Sequence, residues 1–240
     1  MQEKFDGRRT LIRKGSNGVD GINRKGLIVS LPSPITEEAE KLPGTFIIDG
    51  ECLGDKLVAF DVLLIGDTDV RSWSYQKRLF ALNQLILSNG KRITPIETAT
   101  TTAEKTKLFQ RLKDQNKEGA VFKRLDAPYT SGRPASGGDQ LKYKFYETAS
   151  FIVGSINEQR SVTLQLLRGK SFVSAGNVTI PPNHEIPKSG NVVEVRYLYA
   201  FRESGCIYQP VFLGTRADID PGECLVEQLK FKTQQQEEAA

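Results

Sequence analysis

Four short stretches of the chain hold charged residues whose types and spacing suit a chemical task. KFDGRR places Lys4 two residues before Asp6, with Gly7, Arg8 and Arg9 behind it. A lysine set among an acid, a glycine and further cations is either a solvated turn or a nucleophile in a cationic pocket. FIIDGEC sets Asp49 and Glu51 two apart, which on a strand turns both to one side. KEGAVFKR introduces an apolar strand with Glu118, and LKYKF puts Lys142 and Lys144 on one strand face with Leu141, Tyr143 and Phe145 on the other. Carboxylates in apolar strands are costly if buried without partners. Taken singly, each stretch reads as a solvated sheet face. Taken together, they read as a cleft with acids for a metal and cations for phosphate.

Such a cleft needs strands to carry it. TLIRK, GLIVSL and TFIIDGECLG have strand character, and GECLGDKLVAFDVLLIG predicts a hairpin turning at Gly54-Asp55. SYQKRLFALNQLILSNG predicts a helix with Leu79, Leu82 and Ile86 inward and Gly90 as its stop. Thr101 and Glu104 have capping-box spacing and predict a second helix that carries Leu108 and Leu112 inward. GAVFKRL and QLKYKFYE are further strands, separated by the loop YTSGRPASGGDQ. From about Thr148 the pattern changes to short alternating strands and turns, which suggests a small barrel or sandwich. The tail TQQQEEAA is polar and is expected to be disordered.

Composition bounds the reading. The 240 residues are 38% hydrophobic and 26% charged, as in a soluble chain with a sizeable core. No apolar run is long enough to span a bilayer, and the charged start is unlike a signal peptide. Three cysteines without a C-x-x-C pair fit a reducing compartment, and the expected location is cytoplasmic. The single histidine, His184, lies in a loop-like run, which argues against histidine catalysis. The net charge of +4 permits nucleic-acid binding without demanding it.

With these stretches in order, the chain resembles the covalent nucleotidyltransferase superfamily, and within it the ATP-dependent DNA ligases. The K-x-D-G-x-R signature is Lys4, Asp6, Gly7 and Arg9. INRKG, IDGE, the FDVLLIG to QKR segment, EGAVFKRLDAPYTSGR and LKYKF resemble the motifs that follow. The resemblance covers nearly the whole chain. It implies an α+β fold: an adenylation domain (nucleotidyltransferase, ATP-grasp-like) over residues 1–147, an all-β OB-fold barrel over 148–232, and a polar tail over 233–240.

The implied chemistry joins AMP to a lysine nitrogen, passes it to a 5′-phosphate and displaces it with a 3′-hydroxyl. A free lysine, with a pKa of about 10.4, is almost wholly protonated at neutral pH, so burial or nearby cations are expected to activate Lys4. Lys142 and Lys144 join Lys4 as catalytic residues. Gln2, Glu3, Lys4, Arg9, Glu51, Phe60, Lys142 and Lys144 are expected around ATP, with Phe60 stacked on adenine. Glu51 and Glu118 would take Mg2+ or Mn2+. Arg24, Arg133 and Arg8 would meet nicked duplex DNA, Arg24 at the 5′-phosphate, and Arg13 and Lys14 are further candidates for its backbone. Arg78 reads as an i,i+4-paired helix residue rather than a phosphate ligand, Tyr75 as packing and Lys123 as exposed beside the cleft. The implied enzyme is a monomer. Two features depart from the family pattern. Little chain precedes Lys4, and the R-x-D-K motif has Arg216 and Asp218 but Ile219 in the lysine position, so lysine adenylation is expected to be slow relative to sealing. The alternatives are an RNA ligase or mRNA capping guanylyltransferase of the same superfamily, and an inactive nucleic-acid-binding OB-fold protein.

Overall fold

The computed structural model describes residues 1–86, 90–132 and 137–232. The chain divides into two units, the first running Met1–Tyr143 and the second beginning at Lys144. Arg133 and the polar tail fall outside the described residues.

The first unit is built on two sheets. In chain order its elements are β1 (Gln2–Lys4), β2 (Arg8–Gly15), β3 (Gly18–Asn23), β4 (Ile28–Val29), α1 (Ser33–Lys41), β5 (Phe46–Leu53), β6 (Lys56–Ile65), β7 (Thr68–Asp69), α2 (Tyr75–Ile86), β8 (Ile93–Pro95), α3 (Thr102–Asp114), β9 (Gly119–Lys123) and β10 (Gln140–Lys144). One sheet has the order β4-β3-β2-β5-β6-β7, with β8 added parallel to β6; the other has the order β1-β9-β10. The β5–β6 hairpin turns at Gly54, whose φ of +59° suits glycine. A parallel partner cannot be reached by a tight turn, so α2 carries the chain from β6 across to β8. Leu82 and Ile86 of α2 and Ile35 and Ala39 of α1 bury against Ile12, Phe46, Ile48, Leu57 and Ile93 of the sheet. Glu38 of α1 accepts hydrogen bonds from the amides of Lys91, Arg92 and Ile93, at 2.6 to 3.1 Å, and ties that helix to β8.

The predicted capping box is present. Glu104 N donates to Thr101 Oγ1 at 3.2 Å, Thr101 N donates to Glu104 Oε2 at 2.9 Å, and Leu108 and Leu112 are buried. GLIVSL was a predicted strand, but only Ile28 and Val29 pair. Pro32 and Pro34 end it, because proline lacks the amide a ladder needs and suits the first turn of α1. The LKYKF strand also differs from expectation. β10 is the edge of its sheet, so Leu141 and Tyr143 stay 50% and 53% exposed, and of the three apolar residues only Phe145 is buried.

The second unit contains β11 (Glu147–Asn157), β12 (Ser161–Arg168), β13 (Ser171–Thr179), β14 (Val192–Tyr197), β15 (Tyr199–Ala200), β16 (Ile207–Tyr208) and β17 (Val211–Arg216). Five strands form an antiparallel sheet in the order β13-β12-β11-β14-β17, and β15 and β16 form a hairpin. Register shifts in the β11–β12, β12–β13 and β14–β17 pairs bend the sheet, and its two ends approach each other. No ladder joins β13 to β17 among the described residues, so the hydrogen-bonded path is open where a closed barrel was expected. Phe151, Leu164, Leu166, Val193 and Tyr197 fill its core.

Candidate active site

The turn after β1 explains why glycine follows Asp6. A Cβ on Gly7 would lie 2.5 Å from Leu53 and 2.6 Å from the Cys52 carbonyl. Only glycine lets the chain pass this close to the end of β5, beside Glu51. β1 pairs antiparallel with β9, Lys4 opposite Gly119, and so the Lys4 ammonium forms an ion pair with the preceding residue, Glu118. The Glu118 side chain is 3% exposed and that of Lys4 18%.

Glu51 faces this pair. Burial pushes its carboxyl pKa up to about 7, against the pull of Lys4 and a hydrogen bond from the Gly7 amide. Asp49, on the same strand side as expected, is fully buried. Arg9 covers it with two bonds, Nε to Oδ1 at 3.0 Å and Nη2 to Oδ2 at 2.6 Å, and also donates to the Tyr129 hydroxyl at 3.0 Å. Burial raises the Asp49 pKa and Arg9 opposes it. Lys142 completes the group. Its ammonium pKa is lowered by burial first, then by Lys4, Arg24 and Arg9. Lys4, Arg9, Arg24, Glu51, Glu118 and Lys142 therefore share one neighbourhood.

A second cluster surrounds Phe60. The β5–β6 register runs from Asp49↔Asp61 to Gly50↔Ala59, leaving Phe60 as an extra, unpaired residue. Its freed carbonyl accepts from the Tyr75 hydroxyl at 2.9 Å and from Lys123 Nζ at 3.3 Å. The Lys123 ammonium lies 4.6 Å from the Phe60 ring centre and 4.4 Å from that of Tyr75. Its stem is partly exposed, but burial of the charged tip lowers its pKa to about 8, against the opposing pull of Asp61 and Asp49. Gln2 is buried beside them and donates to the Tyr75 hydroxyl and, at 2.8 Å, to Thr98 Oγ1.

Several expected residues sit elsewhere. Glu3 projects to the opposite side of β1 from Lys4 and lies 3.4 Å from Lys117. Lys144 donates to Gln209 at 2.9 Å within the second unit. Arg8 is exposed and lies against the Cys52 thiol. Arg13 pairs with Asp20, and Lys14 donates to the Glu40 and Leu42 carbonyls at the end of α1. Arg216 holds Asp218 through two bonds of 2.7 and 2.6 Å and reaches Glu194 at 3.4 Å, while Ile219 packs against the core of the second unit. Contrary to expectation, Arg78 pairs not along its own helix but with Asp61 of β6. It is 2% exposed and bonds Asp61 at 2.8 and 3.1 Å and the Trp73 and Ala127 carbonyls. Lys123 and Tyr129 were not among the expected site residues. The acid in the middle of VAFDVLLIG was the signal that a cation must be buried near β6.

For a divalent metal, Glu51 and Glu118 are two carboxylates near each other, and Glu118 is already paired with Lys4. The described residues hold no group of three or more acidic, histidine or cysteine side chains suited to a metal. The pair fits an ion that takes most of its six oxygens from water and phosphate, as Mg2+ does. No helix among the described residues is long and apolar enough to cross a membrane.

Comparison with known proteins agrees with the motifs. Residues 54–144 match the ATP dependent DNA ligase domain. A probable DNA ligase of Kineococcus radiotolerans is 28% identical over 180 residues, 64% of this chain and 35% of that protein. The chain thus spans about a third of the length of that curated relative. Among solved structures, a Lig E DNA ligase described as binding DNA with a minimal scaffold superposes with a TM-score of 0.66 at 18% identity, covering 90% of this chain and 91% of that one. The ligase domain of M. tuberculosis LigD gives a TM-score of 0.53 at 20% identity, covering 93% and 91%. At such identities the structures speak for the fold alone. The motifs thus resemble those of the ATP-dependent DNA ligases, and residues 54–144 match the model of that domain.

Proposed function

We propose that the chain is an ATP-dependent DNA ligase that seals nicks through a lysine-AMP intermediate on Lys4. The observation that carries the reading is the Lys4–Glu118 ion pair, with Glu51, Arg9 and Lys142 around it. Glu118 is at bonding distance to take a proton from the Lys4 ammonium. The freed nitrogen attacks the α-phosphorus of ATP; an N–P bond forms and pyrophosphate leaves. Arg9 and Lys142 are cations suited to the charge that builds on the phosphoryl oxygens. The 5′-phosphate of a nick then displaces Lys4 from AMP, and the 3′-hydroxyl displaces AMP to close the strand. Phe60 suits stacking on adenine, and Gln2 lies beside it for the base edge. Arg24 suits the 5′-phosphate, which a guanidinium can bind with two bonds. Bound at Glu51 and Glu118, Mg2+ would neutralise phosphate charge. We read the second unit as an OB-fold, and the coiling of its five strands supports that.

The test is incubation with labelled ATP or GTP and magnesium, followed by denaturation. Label from ATP should stay on the chain, mass spectrometry should find AMP on Lys4, and Lys4→Ala should reduce the adduct below detection. An adduct on Lys142 or Lys144, or labelling by GTP alone, rejects the reading.

A further inference from the structure

The turn between β3 and β4 is rigid, yet it presents apolar residues to water. Asn23 Oδ1 accepts from the Lys25 amide at 2.9 Å and the Leu27 amide at 3.1 Å. The Asn23 amide donates to the Leu27 carbonyl, and Gly26, with φ of +80°, donates to the Asn23 carbonyl, both at 2.9 Å. Four hydrogen bonds thus hold a five-residue turn. At its end Leu27 is 59% exposed and Ile28 67%. β4 is the sheet edge, and it lies so close to β3 that a Cβ on Gly21 would meet Leu31 at 2.7 Å and the Val29 carbonyl at 2.8 Å. Arg24 and Lys25 are exposed beside them and have no ion pair among the described residues.

Two fixed apolar side chains next to two unpaired cations call for a partner that is both anionic and apolar in its furrow. Arg24 also lies close enough to Lys142 to help lower the pKa of that ammonium. An acidic protein surface would satisfy the charges alone. The minor groove of a duplex offers phosphate ridges on either side of sugar and base edges, and apolar side chains enter it as wedges.

We infer that the Arg24–Ile28 turn is a duplex-engaging wedge: Leu27 and Ile28 enter the minor groove at the nick while Arg24 and Lys25 hold the flanking phosphates. The inference rests on the ligase reading and adds a contact that reading does not require. It is tested with Leu27→Ser/Ile28→Ser, a pair so exposed that the core is untouched. Lysine-AMP formation without DNA should match wild type. Affinity for nicked duplex should fall about tenfold, with the slope of log affinity against log salt unchanged, because apolar contacts release no counterions. Arg24→Ala/Lys25→Ala should instead flatten that slope by about two contacts. A 2-aminopurine beside the nick should brighten with wild type, as a wedge unstacks it, and stay dark with the serine pair. If the serine pair binds, brightens and seals as wild type does, the wedge is rejected and the ligase reading stands. A change in self-association by sedimentation, with DNA affinity intact, would mark the patch as a contact between copies and also reject the wedge. If wild type forms no lysine adduct, the ligase reading itself falls and the wedge falls with it.

Discussion

Two ion pairs in the first unit show what burial does to the same chemistry. Arg78 and Asp61 have side chains 3% and 5% exposed, and the guanidinium is bonded to the carboxylate and to two backbone carbonyls. Lys4 is 18% exposed, and its ammonium has one partner among the described residues, Glu118. The first pair is sealed and can only hold structure, here β6 against the start of α2. The second leaves the Lys4 side chain partly open to solvent, as its proposed role requires. Charge on an apolar strand is therefore not a signature of chemistry; access to the charge is.

The comparison predicts that breaking the sealed pair unfolds while breaking the open pair only inactivates. Arg78→Met leaves Asp61 buried and unpaired and should cost about 3–5 kcal/mol in urea unfolding. Asp61→Leu/Arg78→Met should recover much of that loss, since a buried pair replaced by apolar groups is often neutral. If Lys4→Ala destabilises as much as Arg78→Met, the contrast is wrong.

A smaller effect comes from two titrations in the first unit that run in opposite directions. Lys123 has a folded pKa of about 8, below the ordinary lysine value, so between about pH 8 and 10 the unfolded chain holds the extra proton. Stability should rise with pH across that window, by on the order of 2 kcal/mol relative to Lys123→Met. Glu51 has a folded pKa of about 7, above the ordinary carboxyl value, so between about pH 5 and 7 the folded chain holds the extra proton. Stability should fall with pH there, and Glu51→Gln should flatten the fall. Urea midpoints across both windows, in metal-free buffer, check both signs.

The smallest expected effect is in the second unit. Ile219 stands where a lysine was expected, and it packs against the core. Ile219→Lys should lower that unit's stability by about 1 kcal/mol, read as a shifted urea midpoint, since it sets a charge against apolar neighbours that leave it partly exposed.

Much of the first unit was legible because its signals are local. The hairpin at Gly54, the capping box at Thr101 and the inward Leu108 and Leu112 each follow from a few adjacent residues. The DGE run also read correctly as two acids on one side, one of them buried. What failed was set by partners distant in sequence. Arg78 looked like an i,i+4-paired helix residue because its true partner, Asp61, lies on a strand. Glu3 looked like part of the site, although alternation along β1 turns it from Lys4. Phe60 owes its free carbonyl to a one-residue register shift that no composition reveals. The open ladder of the second unit depends on whether its two end strands pair, which strand patterns do not encode.

The pairing of β1 with β9 joins Lys4 to a partner 114 residues along the chain. Local hairpins such as β5–β6 close short loops, whereas this strand pair must wait for nearly the whole first unit to be in place. Lys4, the proposed nucleophile, is therefore expected to meet Glu118 late in folding. In a refolding experiment, capacity to form the lysine adduct should lag behind recovery of sheet signal by circular dichroism; simultaneous recovery would show that the strands join early. Such a chain would carry its own completeness check, with no reactive lysine assembled on a partly folded molecule.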